Sequence, residues 1–409
     1  MWIRKRLDIS TKDLFYGIYS CFTLDSRNSL TGKIEKIWEQ NGQKSFICLS
    51  VRTGFDLLFQ TLNFKSGSEI LMSALTIPDM PKIVAHHGLV PVPVYVDTEN
   101  LAPSVEKIEA AITSKTKAIV IAHLFGGISD LSKISELAKK HNILVIEDCA
   151  QAYYSGSYSG SPAADISMFS FGTIKTATAL GGGILIFRNN SLPLNEIHKL
   201  HQSYPCQSRR KFLMKILKYV LIILVSSPKV LPLIIKFLER RGINYDAYIH
   251  NLSRSFPNGD LFDKIRNQPG SPLLKLMLHR FKTYDYSMIE KRIERGNFLV
   301  NNLPESYTFP GINSSVQTYW AFPVLVSEPS ELIPALRKAG FDATHHSSLK
   351  NVETIKKNAI SDINTSENIL NQILYLPLYP EMPMNEVKRM TRCLKEFEKT
   401  SSGILSYAG

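Results

Sequence analysis

From about residue 28 to residue 187, short apolar runs alternate with amphipathic stretches. EILMSA, PVPVYVD, KAIVIAH, ILVIED, ISMFSF and GGILIF are rich in Ile, Val and Phe and read as buried strands. SLTGKIEKIWEQ, TGFDLLFQTL and DLSKISELAKKHN have helical periodicity with polar or small residues at their starts. Asp130 is the predicted N-cap of the third, whose basic end suits the helix dipole. Strands alternating with helices predict an α/β fold, a three-layer large domain with a mostly parallel sheet covered on both faces. Residues 188–280 break this rhythm. From about 284 it resumes with YSMIEKRIERGNFLVNNL, TYWAFPVLV, PSELIPALRKAG and NEVKRMTRCLKEF, a smaller α+β domain. The predicted organisation is an N-terminal arm (1–27), a large domain (28–190), a helical insertion (191–265) and a C-terminal α+β domain (266–409).

Composition narrows the class. With 409 residues the chain can form about two domains. Its 44% hydrophobic and 21% charged residues exclude disordered and collagen-like chains. Cys21, Cys48, Cys149, Cys206 and Cys393 form no CxxC pair, which argues against a disulfide framework or a structural metal site and for a reducing cytoplasm. The first residues, MWIRKRLDISTKDLF, lack the apolar run of a secretory signal. No stretch reaches the roughly 18 apolar residues of a spanning helix; the nearest is Tyr219 to Val225.

The net charge of +12 is concentrated. Residues 207–241 hold Arg209, Arg210, Lys211, Lys215, Lys218, Lys229, Lys236, Arg240 and Arg241 against the single acid Glu239. The segment RRKFLMKILKYVLIILVSSPKVLPLIIKFLERR reads as two short helices broken at Ser226-Ser227-Pro228. Helical spacing puts Lys211, Lys215 and Lys218 on one face of the first, and Lys229, Lys236 and Arg240 on one face of the second, opposite Leu, Ile, Val and Phe. A cationic stripe beside an apolar one suits a helix lying in an anionic membrane surface, on the inner face of a membrane for a cytoplasmic protein. The competing reading is an oligomer interface or helices packed on the core. Nucleic acid is not expected, because the basic residues alternate with aliphatics rather than with stacking aromatics.

Ligands of open α/β sheets sit outside the carboxyl ends of the strands. ILVIED ends in Glu147 and Asp148; ISMFSF runs into GTIKTATALGGG with Lys175 among uncharged neighbours. Alone, a strand-end acid is commonly a helix cap and a lone lysine a solvated side chain. Together, a carboxylate ending one buried strand and a lysine just past another, 27 positions later, fit what pyridoxal phosphate (PLP) needs, an acid at the ring nitrogen and an amine at the aldehyde.

The stretch 92–187 resembles the DegT/DnrJ/StrS family of PLP-dependent aminotransferases, known for aminating nucleotide-linked keto sugars. PVPVYVDTEN, KAIVIAHLFGG, VIEDCAQAYYS, ISMFSFGTIKTATALGGGILIF, TGFDLLF and LPLYPEM carry the resemblance, which spans nearly everything except about 190–265. It implies PLP fold type I, with Lys175 as Schiff-base lysine and proton shuttle. It further implies Asp148 at the ring nitrogen, Gln151 at the ring hydroxyl, Ala150 on one ring face and Ile77 on the other. Ser170 would reach the phosphate, and Thr53, Gly54 and Phe55 would open the helix whose free amides attract it. Asn267 would serve a partner subunit's phosphate, making the enzyme a homodimer. The expected partners are an amino donor, glutamate by analogy, and a keto or aldehyde acceptor.

Departures fall on the substrate side. An aromatic usual after Thr76 is Ile77. The family's Tyr-Arg-Met-Ser reads Gln268-Pro269-Gly270-Ser271, without its arginine, and its Glu-Gly-Gly reads Gly181-Gly182-Gly183. ATHHSSLKNV replaces a proline-rich segment and places His345 and His346 as substrate candidates. Neither His86-His87 nor His345-His346 is a ready metal site, since adjacent side chains diverge. The acceptor is therefore either a keto sugar of glycan, polysaccharide or secondary-metabolite biosynthesis or a membrane-associated hydrophobic carbonyl. The rivals are a PLP-dependent sugar dehydratase, in some of which a histidine replaces the lysine, and a non-catalytic membrane-tethered protein on the same fold.

Overall fold

The computed structural model describes residues 1–4, 6–40, 42–225, 240–241, 260–345, 348–352 and 369–406. The predicted second basic helix and His346 lie outside the described residues, apart from Arg240 and Arg241.

Helix α1 (Thr11–Ser20) begins at a capping box in which Ser10 and Asp13 each accept the other's backbone N–H. α2 (Arg27–Trp38) follows, then β1 (Lys44–Cys48) and α3 (Val51–Thr61). The α/β rhythm continues through β2 (Glu69–Ser73), β3 (Leu75–Thr76), α4 (Asp79–His86), β4 (Val90–Val94), α5 (Val105–Ala111) and β5 (Thr116–Ala122). It ends with β6 (Gly127–Ile128), α6 (Ser132–Lys140), β7 (Leu144–Asp148), β8 (Ile166–Ser170) and β9 (Gly183–Phe187). Among the described residues, β1-β9-β8-β7-β5-β2-β4 form one sheet. Only β9 is antiparallel to its neighbours. The fold is the predicted α/β sandwich, mostly parallel. The cap position falls on Leu131, one residue after the expected Asp130, whose carboxylate still accepts the Ser132 N–H at the first helical residue.

After β9 come α7 (Leu194–Gln202), α8 (Arg209–Val225), α9 (Leu261–Ile265), α10 (Ser271–Thr283) and α11 (Ser287–Val300). Two short strands, β10 (Val316–Gln317) and β11 (Phe322–Leu325), precede α12 (Pro329–Lys338); β12 (Lys350–Asn351), β13 (Ile373–Leu376) and α13 (Met384–Ser406) close the chain. β11 pairs with β13, whereas β10 pairs with β6 and β12 with β3, so two short ladders outside the large sheet tie the smaller unit to the large domain.

Two domain expectations change. α1 is no loose arm: Leu14 packs in one core with α2, α8 and α10. α10, expected to open the smaller domain, contributes Leu273, Leu274, Leu276 and Met277 to that same core, while the smaller unit's own core starts at Leu299. Buried Arg280 on α10 explains the attachment, since it ion-pairs with Asp13 at 2.5 Å and donates to the Asp8 and Thr178 carbonyls.

Candidate active site

β7 shows how strand alternation divides labour. Glu147 points to the buried side, where it accepts from His123 at 2.7 Å, the Ser167 hydroxyl and the Ser161 N–H. Burial alone would raise its carboxyl, but these donors outweigh that and hold it at about 2. The ligating atoms of His123, Glu147 and Cys149 lie within 4.8 Å of one another, a cluster in which Glu147 already takes these three donors. Asp148, one residue on, points the other way into a cavity of about 770 Å³.

Lys175 lines the same cavity, with Ile77, Ala150, Gln151 and Ser170. Burial pushes the Lys175 ammonium down to about 8, Asp148 pulls it back up, and Arg52 adds to the depression. Burial raises the Asp148 carboxyl above its ordinary value, against the Ala150 N–H that it accepts at 2.9 Å and the charge of Lys175. Acid and amine thus sense each other across one cavity. Gln151 is held by its side-chain oxygen, which accepts the Phe125 N–H at 2.8 Å.

The loop carrying Lys175 is fixed from outside. Ala177 has a positive φ of 52°, and its N–H donates to Asp8 at 2.8 Å. Two residues before the lysine, the Thr173 hydroxyl meets Tyr219 of α8 at 3.2 Å. Trp320, from the smaller unit, donates its indole N–H to the Ile174 carbonyl at 3.0 Å and lies 4.2 Å beneath the Lys175 ammonium. Gly126 permits this approach, because a Cβ there would come 2.6 Å from the Trp320 backbone nitrogen. Sequence reasoning missed Trp320, Tyr219 and Asp8, whose contacts with the loop span from 46 to 169 positions.

Two expectations are corrected, those for Thr53, Gly54 and Phe55 and for His345. Thr53, Gly54 and Phe55 lie buried behind the start of α3 and do not line the cavity; Ser50, Val51 and Arg52 do. Ser50 is the N-cap, its hydroxyl oxygen accepting the Thr53 N–H, and the Thr53 hydroxyl donates to the Ile265 carbonyl at 2.8 Å, away from the cavity. The anion-attracting helix start is therefore present two residues earlier, a register that the serine preceding Thr53 could have signalled. Gly183 lets it pack on β9, since a Cβ there would meet the Ser50 carbon and Val51 nitrogen at 2.6 Å. Asn267 does not line the cavity of its own chain; its amide donates to the Asp263 carbonyl at 2.8 Å. His345 does not line it either, its Nδ1 lying 2.8 Å from the Ile373 carbonyl, whereas Thr344, Ser348, Leu349 and Lys350 do.

The sequence profile of the DegT/DnrJ/EryC1/StrS aminotransferase family matches residues 42–217, which contain the sheet, Asp148 and Lys175. GDP-perosamine synthase of Escherichia coli O157:H7 is 37% identical over 174 residues, 41% of this chain and 48% of that protein. The match thus spans about half the length of that relative. Whole-chain likeness comes from solved structures. The aminotransferase of Psychrobacter cryohalolentis superposes with a TM-score of 0.69 at 16% identity, covering 98% of this chain and 99% of that one. The PLP form of Spr1654 from Streptococcus pneumoniae superposes with a TM-score of 0.68 at 17% identity, covering 98% and 99%. These establish the fold of PLP aminotransferases. The family is PLP-dependent, and the cavity suits that group, with a lysine and an acid in electrostatic contact and a helix start in its wall.

Proposed function

We propose that this protein is a PLP-dependent aminotransferase that moves an amino group from an amino-acid donor, glutamate by family analogy, to the keto carbon of a sugar. One observation carries the reading: Lys175 and Asp148 face one cavity and perturb each other's protonation. When bound, the cofactor supplies an electron sink for the substrate carbon. Asp148 would hold a proton at the ring nitrogen, where a cation would relieve the burial that now raises its carboxyl. Ile77 and Ala150 would flank the ring, Gln151 its hydroxyl, and Ser170 with the Ser50–Arg52 helix start its phosphate. Lys175, with an ammonium at about 8, is partly neutral near pH 7 and can take a proton at Nζ and return it.

The reading is tested on PLP-loaded protein. Borohydride should fix the cofactor to Lys175, located by peptide mass spectrometry, and glutamate should bleach the visible absorbance. Full turnover in a folded Lys175→Ala protein would overturn it, and a product that has lost water without gaining an amine would mark the dehydratase. We further propose a homodimer in which Asn267 serves the second subunit's cavity; light scattering reads the mass directly.

A separate observation favours membrane contact. On α8 the exposed side carries Met214, Leu217, Leu221 and Leu224, and α1 with its following turn adds Phe15, Tyr19, Phe22 and Leu24, with exposures from 43% at Leu217 to 94% at Leu24. Exposed Lys12, Arg210 and Lys211 lie on the same two helices. The exposed row of α8 is thus apolar rather than cationic, because Phe212, Ile216 and Tyr219 are buried in the core and Lys215 lines the cavity. No described helix is long and apolar enough to cross a membrane. An apolar row rimmed by cations suits the surface of an anionic bilayer. Leu221→Glu with Leu224→Glu should abolish co-sedimentation with phosphatidylserine vesicles, and equal sedimentation would refute the contact.

A further inference from the structure

The cavity contains a cation that the proposed chemistry leaves unused. α8 is held by Arg209, which donates to the Ser271 hydroxyl at 2.9 Å, and by Tyr219 on Thr173. Phe212, Ile216 and Tyr219 recur at helical spacing on its buried face, and Lys215, one residue before Ile216, lines the cavity beside them. Burial pushes the Lys215 ammonium down to about 8, with Lys218 adding to the effect.

Among the described residues Lys215 has no hydrogen-bond or ion-pair partner. The acids of the cavity wall are engaged elsewhere. Asp8 accepts from the Ala177 N–H and the Tyr284 hydroxyl, Asp79 pairs with Arg52, Asp148 accepts from Ala150, and Glu381 pairs with Arg6. Gln207, also in the wall, has a buried side-chain oxygen without a donor. The neighbouring segment Gln268–Ser271, which pairs with Cys206-Gln207, supplies no cation. A buried ammonium without a counter-charge is costly unless a ligand completes it. Lys215 and Lys175 line the same cavity but come from different elements, α8 and the loop after β8. A lysine presents a compact point charge suited to a phosphate oxygen, whereas a planar carboxylate is better matched by arginine.

We infer that Lys215, delivered by the inserted helix α8, holds a phosphate group of the acceptor substrate. This rests on the aminotransferase reading. A phosphate could also belong to the cofactor, so both are titrated. Full-length PLP-loaded protein is titrated with inorganic pyrophosphate by calorimetry, and the cofactor-free protein with PLP, for the unmutated chain, Lys215→Met and Lys215→Arg. Lys215→Met should weaken pyrophosphate binding by about tenfold or more, the loss of one charged hydrogen bond, while Lys215→Arg keeps most of it. PLP affinity should not move. Removing an unpaired buried charge should also leave the ligand-free Lys215→Met protein at least as heat-stable as the unmutated one. Unchanged pyrophosphate affinity in Lys215→Met would overturn the assignment, as would a parallel loss of PLP affinity, which would place Lys215 on the cofactor. Failure of the borohydride trap at Lys175 in the unmutated protein would strike the aminotransferase reading alone.

Discussion

Replacing Lys175 with methionine should make the cofactor-free protein more stable near neutral pH. The folded cavity moves the ammonium from 10.5 to about 8, which corresponds to about 3 kcal/mol by which folding disfavours the charged form. The sign follows from linkage. Between these two values the unfolded chain keeps its proton and the folded chain releases it, so stability rises with pH across that window and the penalty is complete below it. Methionine keeps the stem and removes the charge. The gain is partly offset, because Asp148, already raised by burial, loses a cation that lowers it. A net gain of about 1–2 kcal/mol near pH 7 remains, the stability a functional cavity gives up for its chemistry. Urea unfolding of both cofactor-free proteins near pH 7 and near pH 10 measures it. A variant less stable than the parent near pH 7, or a gain that does not shrink near pH 10, would refute the argument.

Arg280→Met should destabilise the fold by about 3–5 kcal/mol, because it strips a buried ion pair from Asp13 and hydrogen bonds from the Asp8 carbonyl and from the Thr178 carbonyl in the loop after Lys175. Burial would raise the Asp13 carboxyl, but Ser10 and Arg280 hold it below its ordinary 3.8. Its contribution is therefore present above that value and lost as pH falls, so the variant should show a shallower acid-side loss in thermal melts. Gly183→Ala places a Cβ 2.6 Å from the backbone at Ser50 and Val51. It should cost about 1–3 kcal/mol and displace the helix start, seen as weaker PLP binding by spectrophotometric titration; unchanged affinity would remove that helix start from the cofactor site.

Local pattern was enough for much of this protein. Continuous apolar runs marked the strands between 69 and 187 and period-3.6 spacing the helix at 130–142, and their alternation implied a covered parallel sheet, because each short apolar run must be buried on both faces. The same spacing placed Asp148 and Lys175 at strand ends, where open sheets bind ligands. Packing decided what depends on residues far apart in the chain. Ser50 and Thr53 can each cap a helix by residue type, and only burial of the Thr53 hydroxyl against Ile265 determined which amides reach the cavity. Apolar side chains surround most of α8, so its sequence does not say which side meets the core; once Phe212, Ile216 and Tyr219 dock, Lys215 turns inward and Leu221 outward. Trp320 under Lys175 and Asp8 on Ala177 close across 145 and 169 positions, contacts that exist only after the sheet and the smaller unit have assembled.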